Sequence, residues 1–246
     1  MTNMIFTKPN VSVIIPVYNA EKYIVKSIET ITRIFYELGY ISEIIVVDDC
    51  STDDTLFELN SIDNLIIKVI HKSVNQGKGF AIRTGLRFVN YDYCVVMDAD
   101  LQISPYEIET FFNIMNFYNA DVVIGNKRHI YSNVRYSIIR RIVSNGYHWL
   151  IKLLFQFPLK DTQCGFKLFK KDALVKTMKK VLAKRFAFDL EVLVAMRENN
   201  IRIVDAPVYV KEQKNTGSVS YKAIVETFID TLAIFMRKNK GWYKDE

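Results

Sequence analysis

Five short runs of β-branched and aliphatic residues, each closing on a polar cluster, constrain this chain more than any other feature. They are VSVIIPV (11–17), EIIVVDD (43–49), LIIKVIH (65–71), YCVVMDAD (93–100) and DVVIG (121–125). Continuous apolar runs of this length suit strands buried on both faces. Helix-period segments lie between them. Residues 20–38 carry Tyr23, Ile24, Ile28, Ile31 and Phe35 at helical spacing. STDDTLFEL opens a second helix, with Ser51 or Thr52 as cap and acids in its first turn. NQGKG is a glycine-bearing turn running into a third, and a fourth is expected over about 104–118. Strand–helix–strand units with short connections require right-handed crossovers. They predict an α/β fold with a mostly parallel central sheet and helices on both faces.

The second half is patterned differently. Residues 132–157 read as a long amphipathic helix, 161–174 as a loop, a short strand and a helix start, and 201–210 as a strand. RFAFDLEVLVAM (185–196) leads into another helix. From Ser218 the tail is helical, with Ile224, Phe228, Leu232 and Phe235 on one face and Arg237, Lys238, Lys240 and Lys244 near its end. No linker divides the halves. One domain over 1–246 is therefore expected: about 1–105 founding a site, about 106–212 completing it, and 213–246 as a C-terminal helix and basic tail.

A chain of 246 residues, half of them hydrophobic, can bury such a core. The net charge of +6 is modest and compatible with acidic substrates, anionic lipid head groups or nucleic acid. Cys50, Cys94 and Cys164 form no CxxC pair, which fits a reducing compartment and small buried hydrophobes. His71, His129 and His148 are too scattered for a zinc-type cluster. MTNMIFTKPN lacks the layout of a signal peptide. No run approaches the roughly 18 apolar residues of a spanning helix. The expectation is a soluble chain, or one that lies on a membrane without crossing it.

In parallel sheets, ligands bind beyond the carboxyl ends of the strands. The polar signals gather there: Tyr18 and Asn19, Asp48 and Asp49, Asn75 to Gly79, Asp98 to Gln102, and Asn126 to Arg128. Asp98 and Asp100, two positions apart in a turn, can approach one point, as a hard cation such as Mg²⁺ or Mn²⁺ requires. The bland alternative is that Asp100 caps the helix starting near Ser104. Asp48 or Asp49 can accept hydrogen bonds from a base or ribose, Asp49 being favoured, whereas Asp53 and Asp54 read as first-turn acids. NQGKG can bring backbone N–H groups and Lys78 toward phosphate, or can be a plain turn; it is neither GxxxxGK[ST] nor GxGxxG. Lys127, Arg128, His129, Arg135, Arg140 and Arg141 form a basic zone. Arg128 stands just past a strand end. Arg140 and Arg141 diverge by about 100° on a helix, so at most one faces a site.

Together these segments resemble a known family. VSVIIPVYNAEKY, EIIVVDDCSTDDT, NQGKGFAIRTG, VVMDADLQISP, DVVIGNKRH, RRIVSNGY, DTQCGFKLF and KRFAFDLEVLV are similar to the inverting GT-A glycosyltransferases of family two. The likeness is strongest to the dolichyl-phosphate (polyprenyl-phosphate) glucosyl- and mannosyltransferases, and runs from Val11 to about Val210. The resemblance implies a GT-A fold. It implies that Pro16, Tyr18 and Glu21 line a nucleotide pocket with Asp49 at the base, and that Lys78 and Gln163 join the nucleotide-sugar site. Asp98, Asp100 and Gln102 would hold Mg²⁺ or Mn²⁺ on the donor diphosphate. Arg128 and Arg140 would meet phosphates, and Asp161, Gln163 and Gly165 would line the sugar and acceptor region. Departures are Cys50 for the usual glycine, Ala20 for a common acid and Asn126 for a usual serine.

The activity so implied is metal-dependent, inverting transfer of a hexose from UDP-glucose or GDP-mannose to dolichyl or polyprenyl phosphate. A phosphate acceptor is already anionic near neutral pH, its second pKa being about 6. A sugar hydroxyl, the acceptor in a polysaccharide-type alternative, would need a carboxylate base, with Asp161 and Asp189 as candidates. YHWLIKLLFQFPL (147–159) is either an interfacial helix or a core one. The expected location is peripheral, on the cytoplasmic face of a membrane, with no nucleic-acid partner. A nucleotidyltransferase and an inactive nucleotide-binding module are the competing classes.

Overall fold

The computed structural model describes residues 8–129, 132, 138–157, 159, 161–185, 187–210 and 221–245, with backbone alone for 138–144 and 221–224. The elements run β1 (Val11–Val17), α1 (Ile24–Glu37), β2 (Ser42–Asp48), α2 (Thr55–Asn60), β3 (Ile67–His71), α3 (Lys78–Leu86), β4 (Tyr93–Met97) and α4 (Glu107–Phe117). They continue with β5 (Val122–Asn126), α5 (Ile138–Phe155), β6 (Phe166–Lys170), α6 (Lys171–Met178), α7 (Phe188–Glu198), β7 (Ile203–Pro207) and α8 (Tyr221–Asn239).

The seven strands form one sheet in the order β3-β2-β1-β4-β6-β5-β7. The fold is mixed α/β with a mostly parallel sheet, as the run pattern requires. β6 alone is reversed, pairing antiparallel with both β4 and β5. The alternating faces of β1 show why these runs are apolar throughout. Ile14 packs into one core layer with α3 and α7, and Val13 and Ile15 into the other with α1 and α4. β1 lies inside the sheet between β2 and β4, and Val11, Val13, Ile14 and Ile15 are fully buried.

Two expectations need correction. The second helix starts at Thr55 with Asp54 at its N-cap, so neither Ser51 nor Thr52 caps it, whereas the fourth strand ends at Met97 and leaves Asp98 and Asp100 in the expected turn. The buried face of α8 is also offset from the predicted one. Phe228 and Leu232 are exposed at 46% and 38%, while Thr231 and Ile234 are fully buried and Phe235 meets Phe155 edge-on. (The side chain of Ile224 lies outside the described residues.) The cause is Glu191 on α7, fully buried, whose Oε1 receives the Arg237 guanidinium at 2.7 Å and the Tyr243 hydroxyl at 2.5 Å. A buried carboxylate needs such partners, so it sets the rotation of α8 ahead of side-chain hydrophobicity.

Candidate active site

Parallel pairing brings Val17 beside Asp48 and Asp48 beside His71, while Ile14 aligns with Val96. The C-terminal ends of β1 to β4 therefore share one rim. The reversed β6 begins where the others end: Phe166 pairs with Met97. The loop Asp161–Gly165 is thereby laid against the turn Asp98–Gln102, and the Asp98 N–H donates to the Gly165 carbonyl at 3.2 Å. Gly165 has an ordinary backbone conformation, but a Cβ on it would lie 1.7 Å from Asp98 Oδ2. Glycine is required here for the close approach of a carboxylate.

The turn itself is tight. Leu101 adopts φ 48°, a conformation that non-glycine residues hold only when the surroundings impose it. Asp100 accepts hydrogen bonds from the Gln102 backbone at 3.2 Å and from Gln102 Nε2 at 2.8 Å. Burial, then the neighbouring Asp98 charge, raise the Asp100 pKa above the usual carboxylate range, against the opposing pull of Gln102 and Lys127. Asp98, Asp100, Gln102, Lys127 and Gly165 line a hollow of about 10 Å³, the size of one water-sized sphere. Two carboxylates and an amide around such a hollow are a hard-oxygen donor set that fits a small divalent cation. Among the described residues no third His, Cys, Asp or Glu joins them.

Lys78, the first residue of α3, reaches this turn, with Nζ 2.7 Å from Asp98 Oδ1 and 3.8 Å from Asp189 Oδ2. Burial would lower its pKa, but Asp98 and Asp189 outweigh it and the net shift is upward. Asp189 is 7% exposed and also binds Lys167 Nζ at 2.7 Å. Burial pushes its carboxyl up, and Lys167 and Lys78 more than reverse this. A carboxylate held in that way is a weaker proton acceptor than a free one, which disfavours Asp189 as a base. Sequence reasoning missed Lys167, because a lysine in a strand reads as solvent-facing. It also missed Tyr23, read as a helix-face residue. Its phenol pKa is raised by partial burial and by Asp100, Asp53 and Asp98, which places the ring near the acidic turn.

The other expected site residues are distributed around the rim. Tyr18 is half exposed just past β1, and Pro16 pairs with Val47. Glu21 accepts the Asp54 N–H at 3.0 Å and its own N–H donates to Asp53, bracing the start of α2. Asp49 is buried, and its oxygens accept Lys72 Nζ, the Gln76 N–H at 3.1 Å and the Gly77 N–H at 2.6 Å. It pins the loop that delivers Lys78, so a contact to a base would have to share those oxygens. Asp161 accepts N–H groups of Lys127 at 3.1 Å and Gln163 at 3.0 Å, tying the β5 end to the loop before β6. Gln163 is exposed. Arg128 is directed at α5, donating to Asn145 Oδ1 at 2.7 Å. Arg135 and the side chains of Arg140 and Arg141 lie outside the described residues.

Comparison with known proteins gives a consistent result. The model of the family described as glycosyl transferase family 2 matches residues 12–177. A dolichyl-phosphate beta-glucosyltransferase of Saccharomyces cerevisiae is 30% identical over 95% of this chain and 76% of its own length. One from Trichomonas vaginalis is 31% identical over 98% of this chain and 79% of its own. Among solved structures, glucosyl-3-phosphoglycerate synthase from Mycobacterium tuberculosis with Mn²⁺ and UDP-glucose superposes with a TM-score of 0.69. It is 19% identical, covering 92% of this chain and 79% of that one, and supports the fold alone.

Proposed function

This chain belongs to glycosyl transferase family 2, and we propose that it transfers glucose, with inversion, from UDP-glucose to a dolichyl or polyprenyl phosphate. The observation that carries this reading is the apposition of the Asp98–Gln102 turn to the Asp161–Gly165 loop through antiparallel β4 and β6. It brings together the two segments that this reading assigns to donor and acceptor. Glucose is favoured over mannose because the relatives just named are glucosyltransferases.

Asp98, Asp100 and Gln102 would hold Mg²⁺ or Mn²⁺. Bound there, the ion would neutralise charge growing on the departing nucleoside diphosphate. Pro16, Tyr18, Glu21 and Asp49 would line the nucleotide, and Gln163 the sugar. Lys78, at the N-terminus of α3, would face the diphosphate. Arg128 and Arg140 would orient the acceptor phosphate, whose oxyanion needs positioning rather than deprotonation. The fixed charge on Asp189 fits that scheme, since no buried base is then required. Asp161 would act by shaping the loop that meets the sugar.

A lipid acceptor places the reaction at a membrane, which we take to be the cytoplasmic face. Among the described residues no helix is long and apolar enough to cross a bilayer. α5 presents Trp149 and Leu153, 67% and 62% exposed, beside Lys152, while Ile151 and Phe155 of the same helix are buried. That division combines the two alternatives for this segment: one core face and one face suited to an interface.

The deciding assay supplies UDP-glucose or GDP-mannose with a short polyprenyl phosphate, and Mn²⁺, Mg²⁺ or chelator. Glucosyl lipid formed from UDP-glucose and abolished by chelator is expected. Transfer indifferent to chelator would defeat the metal assignment, and transfer from GDP-mannose alone would defeat the sugar assignment.

A further inference from the structure

Two ion pairs near the rim are not explained by that scheme: the buried pair of Lys167 with Asp189 and the pair that Lys78 makes with Asp98. We propose that Lys78 is an exchangeable internal cation, resting on Asp98 in the donor-free protein and transferring to Asp189 when a divalent ion occupies the turn. The inference rests on the reading of Asp98 and Asp100 as a cation site.

The geometry leaves Lys78 as the group that must yield. The backbone of Asp98 is held, because its N–H donates to the Gly165 carbonyl, and its carboxylate fills the space that the absent Gly165 Cβ leaves. The backbone of Lys78 is also fixed. Gly77, at φ 90°, lies so close to Arg185 and the Lys184 carbonyl that a Cβ would be 2.8 Å from each. Gly79 donates to the Lys184 carbonyl at 2.8 Å and packs on Phe188. Phe188 directly precedes Asp189, so the helix that offers Asp189 and the turn that offers Lys78 are interlocked. The lysine side chain swings from this fixed backbone, and its second acceptor stands 3.8 Å away against 2.7 Å for the first.

The charges explain why a buried acceptor is kept there. Without a divalent ion, Asp98 and Asp100 repel each other, and Lys78 offsets the repulsion. With the ion in place, an ammonium on Asp98 would compete for the same carboxylate and repel the ion. Asp189 is already ionised and oriented by Lys167, whose Nζ also donates to the Cys164 carbonyl at 2.5 Å. It can take the displaced charge with no change in its own protonation. Lys78 on Asp189 would still have two N–H bonds to offer a diphosphate.

The test is Mn²⁺ binding by the full chain without donor, followed by the electron paramagnetic resonance of free Mn²⁺. Lys78→Met should tighten binding, on the order of threefold to tenfold for loss of one partly exposed competing pair. Asp189→Asn should weaken it by a similar factor, since Lys78 loses its alternative partner. The double variant should bind like Lys78→Met alone. A merely structural lysine would give the opposite sign in the first variant. Unchanged or weaker binding by Lys78→Met, with Asp98→Asn still abolishing binding, overturns the exchange but leaves the cation site standing. Wild-type affinity in Asp98→Asn, or no binding by wild type, overturns both. If Asp189→Asn does not fold, because Lys167 is left buried without its partner, the Lys78→Met result decides alone.

Discussion

Replacing Gly165 with alanine adds one methyl group and tests the central geometric claim. The new Cβ would lie 1.7 Å from Asp98 Oδ2 and 2.3 Å from Cγ. A carbon and an oxygen approach comfortably to about 3.3 Å, so the carboxylate must move by roughly 1.6 Å. Gly165 is not in a left-handed conformation, so alanine adds no backbone strain. The smaller unfolded-state entropy even favours it by about 0.4–1 kcal/mol. The damage is therefore local to Asp98 and to its Lys78 partner. A displacement of about 1 Å in a positioned group costs on the order of 10²-fold in rate. Gly165→Ala should keep a cooperative melt within a few degrees of wild type, bind Mn²⁺ poorly and lose glucosyl transfer by about that factor. Near-wild-type turnover and metal affinity, with the fold intact, would refute the argument that Gly165 is there to admit Asp98.

Three further outcomes follow from named contacts. Asp100 has its pKa raised in the fold, so its contribution to stability is fullest below the unfolded value of about 3.9 and is lost as pH rises through the raised value. At pH 7 its charge is thus a net cost without metal. Asp100→Asn should raise the metal-free Tm by about 1–3 °C while abolishing stabilisation by Mn²⁺; a lower Tm with the Mn²⁺ effect retained would contradict this. Cys50 holds φ 63°, so Cys50→Gly should stabilise by about 0.5–1 kcal/mol in urea denaturation, and equal or lower stability would dispose of the strain. Tyr243 is fully buried on Glu191. Tyr243→Ala should cost about 3–5 kcal/mol, read from the same denaturation curves, and a cost below about 1 kcal/mol would mean that the tail is not anchored there.

The parallel part of the sheet was legible because strands buried on both faces leave continuous apolar runs, as in VSVIIPV and EIIVVDD. The rim was legible because such strands can end only in polar turns. The direction of β6 was not, since FKLFK carries no mark of which way it runs. Lys167, Glu191 and the buried pairing of Asp189 were obscure for a common reason. A charged residue among apolar ones reads as solvent-facing, and only tertiary packing shows that each has a buried partner. That also misled the choice of face on α8, where Phe228 and Leu232 are more apolar than the Thr231 and Arg237 that turn inward. Cys50 stood out in the sequence as a departure from glycine, and its positive φ supplies the reason glycine is usual there.

The reversed strand has a consequence for the order in which the protein becomes competent. Met97 pairs with Phe166, and Asp98 is backed by Gly165, both far downstream. On a ribosome adding roughly 5–20 residues per second, β1 to β4 can emerge and associate while the acidic turn still lacks its support. Two mutually repelling carboxylates would then sit at the open edge of a half-built sheet, with neither Lys167 nor Asp189 yet made. β6 must insert between β4 and β5, and a pairing of such sequence separation forms slowly. The proposed cation site would thus be a late product of folding, and Mn²⁺ binding during refolding, if the site forms as proposed, would report closure of the whole sheet.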